Sequence, residues 1–149
     1  MSAALHLAKA TDLEKLTPLV AALHAEIGIP SEETARERAL IPMLDGSPYG
    51  IVYLIGPTRA PIGYIAITFG WSIEFGGMIA TLDEFFVRPQ IRGRGIGTEA
   101  LLSLRKTLAQ SEVNALFLEV QNTDGKVKRL YQKAGFGDRE GYQSLFTDL

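Results

Sequence analysis

The segment from Leu82 to Thr98 holds most of the groups in this chain that could do chemistry. It reads Leu82-Asp-Glu-Phe-Phe-Val-Arg-Pro-Gln-Ile-Arg-Gly-Arg-Gly-Ile-Gly-Thr98. The alternate glycines Gly93, Gly95 and Gly97 leave backbone N–H groups accessible, because no Cβ blocks the approach. A helix predicted to begin near Ile96 adds its free N–H groups and the positive end of its dipole. This combination predicts a site for a pyrophosphate-sized anion.

The arginines of the same segment help to decide which nucleotide such a site would bind. Arg88, Arg92 and Arg94 add positive charge to a chain whose net charge is −2. The P-loop string is absent, and the spacing Gly-x-Gly-x-Gly differs from the dinucleotide fingerprint Gly-x-Gly-x-x-Gly. Glu119, near the end of the next predicted strand, keeps a nicotinamide-dependent oxidoreductase open as an alternative. Coenzyme A carries a pyrophosphate and a ribose phosphate, and therefore suits the added arginines better.

Two blocks of the sequence resemble a known family. Gln90-x-x-Gly93-x-Gly95 is similar to the acetyl-CoA signature of the GNAT superfamily of N-acetyltransferases. Leu118-Glu-Val120 and Leu130-Tyr-Gln-Lys-Ala-Gly-Phe136 resemble the fifth strand and following helix of that family. The resemblance implies transfer of an acetyl group from acetyl-CoA to a primary amine of a small molecule, by direct attack in a ternary complex. An acyl-CoA-binding module without turnover is a further alternative.

The resemblance also implies which residues would bind acetyl-CoA. Besides backbone groups of strand and loop, it includes an Asn after the fifth strand, where this chain has Asp124, and an ionised Asp cannot donate a hydrogen bond. Asn122 is the expected substitute. The expected cofactor-binding residues are Phe86, Val87, Arg92, Gly93, Arg94, Gly95, Ile96, Gly97, Thr98 and Asn122.

Acetyl transfer to an amine requires the removal of a proton, since an alkyl ammonium has a pKa of about 10.4. Asp83 and Glu84 are the candidate bases, and adjacent strand residues face opposite sides, so one of them would face the acceptor. The resemblance implies that Tyr131 protonates the departing thiolate. It also implies a backbone N–H near Phe86–Val87 as oxyanion donor, and a β-bulge in this strand that opens a slot for pantetheine.

The acceptor pocket is expected between the first helices and the loop before the fourth strand, near residues 24–29 and 71–77. Glu26, Glu74, Asp83 and Glu84 would form an acidic pocket for a polyamine-like or aminoglycoside-like amine if they converged. Trp71, Phe75 and Tyr64 are candidates for cation–π contacts, with buried aromatic packing as the alternative. His6 and His24 are interpreted as ordinary strand and helix residues, and no metal site is expected.

Composition limits the remaining possibilities. The 149 residues suit one domain over 1–149, and 46% hydrophobic with 21% charged residues is typical of a globular protein. There is no strong basic field for nucleic acid, no cysteine, and no apolar run long enough for a membrane span. We expect a cytoplasmic protein and, by analogy with the family, a homodimer.

Hydrophobic periodicity predicts a mixed α/β (α+β) fold. The expected architecture is a central mixed, largely antiparallel sheet with a parallel βαβ unit at the glycine loop, flanked by about four helices. The predicted strands cover 3–10, 51–55, 62–69, 79–87, 115–120 and 142–146. The predicted helices cover 13–27, 30–44, a segment starting near Ile96, and 127–134.

Overall fold

A computed structural model of the chain describes residues 3–122 and 125–149. In this part of the chain the strands are β1 (Leu5–Leu7), β2 (Gly50–Ile55), β3 (Gly63–Ser72), β4 (Gly77–Val87) and β5 (Ala115–Phe117). The helices are α1 (Leu13–Ile27), α2 (Glu33–Leu44), α3 (Ile96–Gln110) and α4 (Gly125–Lys133), with short 3-10 turns at Ala10–Asp12 and Pro89–Ile91. None of these helices combines the length and the apolar character that crossing a membrane needs.

The described strands form one sheet in the order β1-β2-β3-β4-β5. Neighbours from β1 to β4 are antiparallel, whereas β5 runs parallel to β4 and follows it through α3. A parallel neighbour requires such a crossover, because a tight hairpin can join only antiparallel strands. The predicted mixed sheet with a parallel unit at the glycine loop is therefore confirmed.

The sheet separates two apolar clusters. On one face, α1 and α2 bury leucines and a valine against the inner residues of the sheet, which are Val52, Leu54, Tyr64, Ala66 and Phe86. On the other face, α3 and α4 cover a second set that includes Ile65, Ile67, Leu82 and Val87. The helices α1 and α3 each present one apolar stripe to the sheet, whereas α2 buries only Leu40 and Leu44 near its end. We call these the α1/α2 face and the α3/α4 face.

A β-bulge interrupts β4 at Asp83. Ile67 of β3 pairs with Leu82, but the next residue back, Ala66, pairs with Glu84, so Asp83 is the extra residue. A bulge reverses the alternation of side chains along its strand. Leu82 and Phe85 accordingly both pack on the α3/α4 face, and Glu84 is directed to the α1/α2 face. The bulge implied by the family resemblance is thus present.

The strands β4 and β5 are paired over a short stretch only. Their pairing covers only Ile79–Thr81 against Ala115–Phe117. Beyond Thr81 no described strand borders β4 on this side, which leaves its edge uncovered as far as Val87. The fifth strand was expected to reach residue 120, and it ends earlier because the chain turns away from β4.

The prediction of a strand at Tyr142–Phe146 is wrong. Residues 142–149 have no regular structure and are exposed. The segment contacts the sheet through side chains: Arg139 pairs with Glu74 and stacks on nearby rings, and Ser144 Oγ donates to Glu119 at 2.8 Å. Alternating apolar residues favour a strand, but no described backbone ladder holds this one.

Candidate active site

The glycine loop presents a row of unpaired backbone N–H groups. Gly93 and Gly95 have φ values of 82° and 80°, and α3 begins directly after Gly95. Within the described residues, the N–H groups of residues 93–98 donate to no other protein group. A Cβ on Gly93 or Gly95 would meet nothing within 4 Å, so the left-handed backbone rather than crowding requires glycine there. The loop and the helix start together form a cradle for an anion.

The other residues predicted in this loop have different roles. The side chain of Ile96 is buried in the core, so only its backbone is available to a ligand. A Cβ on Gly97 would lie 3.4 Å from Leu130 and Phe85, which shows how closely α3 approaches α4 and β4. Thr98 is half-buried in the first turn of α3.

The three arginines of the segment are held differently. Arg92 forms a bidentate ion pair with Glu26, and its Nε donates to the carbonyl of Val87 at 2.8 Å. Arg88 donates through Nε to the carbonyl of Pro61 at 3.2 Å. Arg94 is exposed and makes no ion pair with any described residue. Neither Arg88 nor Arg94 is thus neutralised by a described carboxylate, and Arg94 is the one that lies within the glycine loop itself.

The uncovered edge of β4 directs specific amides toward the opening. Arg88 N–H donates to Ile62 beside β3. Because alternate residues of an antiparallel strand face opposite sides, the N–H groups of Val87 and Phe85 point away from β3, whereas that of Phe86 points toward it. Sequence reasoning named Phe86 and Val87 and missed Phe85, since the direction depends on the ladder.

Tyr131 lies on α4 against the same strand. It is 8% exposed, and its ring centroid is 6.2 Å from that of Phe85 and 5.8 Å from that of Phe136. These aromatic contacts fix the ring on the α3/α4 side of β4. Because Phe85 also contributes one of the amides directed to the opening, the predicted acid stands beside the uncovered edge of the strand.

Glu84 lies on the opposite face with both carboxylate oxygens occupied. Tyr64 Oη donates to Oε1 at 2.8 Å, and His24 Nε2 lies 2.5 Å from Oε2. Burial and the Glu84 carboxylate raise the pKa of Tyr64 well above its usual range, so its hydroxyl remains protonated and donates. Glu84 is thus a carboxylate held by two donors.

The carboxyl group of Asp83 has different surroundings from that of Glu84. Asp83 occupies the bulge, and its carboxyl group makes no hydrogen bond or ion pair with the side chains or backbone of the described residues. Although the residue is exposed, burial of its carboxyl group and the Glu84 charge raise the pKa of Asp83, and His24 partly offsets this rise. A carboxyl group with a raised pKa and no partner is suited to accept a proton.

His24, interpreted from the sequence as an ordinary helix residue, does lie on α1, but it also contacts the candidate base Glu84. Its Nδ1 lies 2.7 Å from Ser31 Oγ, and Ser31 in turn accepts from Arg36. A signal was present in the sequence: His24 follows Leu23 and stands one turn after Val20, at the border of the buried stripe of α1. Nothing in the sequence identified Ser31 or Arg36 as part of this network, and Tyr64, which contacts Glu84, was named only as a candidate for a cation–π contact.

The expected acidic pocket is only half formed. Glu26 pairs with Arg92 and Glu74 pairs with Arg139, which leaves Asp83 and Glu84 together. Trp71 is 77% exposed and, by strand alternation with Ile67, lies on the α3/α4 face, away from Glu84. Asn122 is exposed beyond β5, and Asp124 lies outside the described residues.

The sequence of residues 5–136 matches the acetyltransferase (GNAT) family. The chain belongs to this family. None of the curated protein sequences matches it significantly. Among solved structures, an integron cassette protein from the mobile metagenome of Cole Harbour Salt Marsh is 31% identical, with 97% of this chain and 90% of that chain covered and a TM-score of 0.85.

Two further structures share the GNAT fold at lower identity. A possible acetyltransferase from Clostridium difficile 630 is 14% identical, with 100% and 99% of the two chains covered and a TM-score of 0.86. An aminoglycoside acetyltransferase from an uncultured soil metagenomic sample, in complex with sisomicin, is 11% identical, with 98% and 95% covered and a TM-score of 0.77. The GNAT chain described here is accordingly an N-acetyltransferase, which favours the coenzyme A interpretation of the loop over the nicotinamide one.

Proposed function

We propose that this GNAT acetyltransferase transfers an acetyl group from acetyl-CoA to a primary amine of a small cationic molecule. The observation that carries the proposal is the row of unpaired N–H groups from Gly93 to Thr98, which continues the uncovered edge of β4. Asp83 and Glu84 stand on the same strand. An anion cradle, an open strand edge and a pair of carboxylates are what an acyl-CoA and an amine together require.

The residues of the cradle fit the charged part of acetyl-CoA. The amides of residues 93–98 would hold the pyrophosphate, and Arg94 would add a positive charge. The amides of Val87 and Phe85 would hold the acyl and pantetheine region, and Asn122 stands beyond β5 as a further polar contact. Acetyl-CoA supplies an acyl group activated as a thioester.

The protein's own contribution is to handle two protons. The acceptor ammonium, with a pKa of about 10.4, must lose a proton before it can attack. Asp83 is the group we assign to this step, directly or through water, since its carboxyl group is unpaired. Tyr131 would give a proton to the departing thiolate, whose pKa resembles the value of about 8.5 for cysteine.

A cationic acceptor follows from the charge of the site. Asp83 and Glu84 are adjacent, and no lysine or arginine of the described residues forms an ion pair with either of them. Polyamines and aminoglycosides are two such classes of amine, and a protein of the same fold has been crystallised with sisomicin. We further propose that the chain is a single cytoplasmic domain that forms a homodimer, as many members of the family do.

The direct test has two parts. Thermal unfolding with saturating coenzyme A should raise the melting temperature, because a ligand that binds the native state stabilises it. Thioester consumption from acetyl-CoA should then be measured across polyamines, aminoglycosides, amino acids and peptide N-termini. We expect turnover with multivalent cationic amines. If neither binding nor turnover occurred, the proposed function would be wrong.

A further inference from the structure

A chain of hydrogen bonds runs from α2 to the carboxylate of Glu84. Arg36 Nη1 donates to Ser31 Oγ and to the Ser31 carbonyl, both at 2.9 Å. Ser31 Oγ lies 2.7 Å from His24 Nδ1, and His24 Nε2 lies 2.5 Å from Glu84 Oε2. From β3, Tyr64 donates to the other oxygen of Glu84. Side chains from α1 and β3 thus meet on one carboxylate of β4, and α2 is joined to them through Ser31.

Arg36, at one end of this network, determines the direction of the hydrogen bond that it makes with Ser31. An arginine side chain can only donate, so Ser31 Oγ accepts from Arg36 and keeps its own hydrogen for His24 Nδ1. Because a carboxylate only accepts, His24 Nε2 carries the hydrogen that is donated to Glu84, and Nδ1 is left to accept from Ser31. Because Tyr64 also donates, every bond in the network ends on Glu84 as acceptor.

A carboxylate in this setting is an anchor rather than a base. Two of its roughly four lone-pair positions receive hydrogen bonds from the protein, and the others remain for a ligand. Its side chain is 20% exposed, and that of His24 is 14% exposed, so the pair is partly shielded from water. An ammonium group has three donors and no acceptor, which makes it complementary to the remaining positions.

We propose that His24 is a positioning residue, with Ser31 and Arg36 behind it, that holds Glu84 as an ionised anchor for the ammonium group of the acceptor. Proton removal is then left to Asp83 in the adjacent bulge. This assignment rests on the proposed function, because it needs an amine acceptor. It divides the work of the two carboxylates, which the sequence left undecided.

Substitution of His24 by glutamine or asparagine tests whether the Nε2 donor, rather than the ring as a whole, is what matters. The amide nitrogen of glutamine can occupy the place of Nε2 and donate to Glu84, whereas that of asparagine is shorter by one methylene and matches Nδ1. We expect His24→Asn to raise the KM for the acceptor about 10- to 100-fold, since a hydrogen bond to a charged group is lost. The KM for acetyl-CoA and the kcat at saturating acceptor should remain within about threefold.

Two other variants complete the kinetic set. His24→Gln should restore the acceptor KM to within about threefold of the wild-type value. His6→Gln, which changes an exposed strand residue and the other histidine of the chain, should leave all constants unchanged. The proposal fails if His24→Asn keeps an acceptor KM within about twofold of wild type, or if it lowers kcat without raising that KM.

A spectroscopic measurement tests the network without any substrate. In the ¹⁵N-labelled free enzyme, at a pH where the His24 ring is neutral, its Nε2 should be protonated and its Nδ1 unprotonated, with the signal assigned from its loss in His24→Gln. Ser31→Ala removes the donor to Nδ1 and should shift the Nδ1 resonance while the Nε2 resonance changes little. The opposite tautomer, or no response to Ser31→Ala, would overturn the network. If the tautomer is as expected but no amine is acetylated, the proposed function fails instead.

Discussion

Arg92 and Glu26 form a two-pronged ion pair between the glycine loop and α1, with Nη1–Oε1 at 2.6 Å and Nη2–Oε2 at 2.9 Å. The same guanidinium donates to the carbonyl of Val87 and lies 5.4 Å from the ring centre of Phe86. It therefore ties the start of the loop to the strand end and to the helix at once. Its charge is largely neutralised by Glu26, whereas Arg94, in the same loop, pairs with no described carboxylate.

This difference predicts unequal effects of the two arginines on coenzyme A binding. We expect Arg94→Ala to weaken CoA binding about tenfold at low salt, because it removes a charge available to phosphate, and to weaken it less at high salt. Arg92→Ala should mainly lower the melting temperature, since it releases the loop from α1. Calorimetric titration with CoA at two salt concentrations measures both. A larger loss of CoA affinity in Arg92→Ala than in Arg94→Ala would contradict the assignment.

The left-handed glycines of the cradle predict a second effect, for which the chain offers a matched control. Gly95 and Gly46 have nearly equal φ values, 80° and 79°, and a Cβ would meet nothing within 4 Å at either position. Alanine at either site should cost about 1–2 kcal/mol of stability for the backbone conformation.

Only one of these variants should lose ligand affinity. Gly95→Ala disturbs the row of N–H groups, so we expect its Kd for CoA to rise about tenfold or more. Gly46→Ala, in the turn between α2 and β2, should keep the wild-type Kd despite its lower melting temperature. Equal Kd values for the two variants would show that the loop amides do not bind the cofactor.

Local signals were sufficient for most of the fold. The helical spacing of Leu13, Leu16, Val20, Leu23 and Ile27, with Gly28 as a stop, predicted α1. The β-rich runs on either side of Pro57 and Pro61 predicted the β2–β3 hairpin. The terminal segment was predicted wrongly because alternation alone cannot supply a partner strand. An edge position depends on what lies beside it, and that information is not local.

The site was predictable where it consists of backbone and unpredictable where it consists of side-chain pairs. Glycine spacing located the anion cradle, since the left-handed conformations are properties of single residues. Glu84 and His24 are sixty positions apart in sequence, and the bulge at Asp83 decides which face Glu84 occupies. No periodic pattern records a bulge, and so the roles of the two carboxylates remained open.

Tyr131 provides a third prediction. Tyr131→Phe keeps the ring between Phe85 and Phe136, so the fold and the affinity for CoA should be unchanged within about twofold. Loss of the hydroxyl should lower kcat about a hundredfold, since general acid catalysis contributes about 10²–10⁴. The matched control is Tyr53→Phe, a half-buried tyrosine on β2, which should retain full activity. Steady-state kinetics and CoA titration decide the point, and an unchanged kcat in Tyr131→Phe would remove this residue from the reaction.

Asp83 predicts opposite changes in activity and stability. Its pKa is raised in the folded protein, so the native state binds this proton more tightly than the unfolded state does. The stabilisation is therefore complete below the unfolded pKa and is lost as the pH rises through the folded one. At neutral pH the ionised group lowers stability, and Asp83→Asn should raise the melting temperature at pH 7 but change it little near pH 3.

The same substitution removes the proton acceptor. We expect Asp83→Asn to lower kcat about 10²- to 10⁴-fold and to abolish the rise of wild-type activity with pH that reports ionisation of this carboxyl group. Asp45→Asn, an exposed acid at the end of α2, should alter neither activity nor melting temperature. Thermal unfolding at the two pH values and a pH–rate profile provide the measurements. If Asp83→Asn were more stable than the wild type and still fully active, the raised pKa of Asp83 would reflect only an energetic cost of the bulge. The role of base would then pass to Glu84.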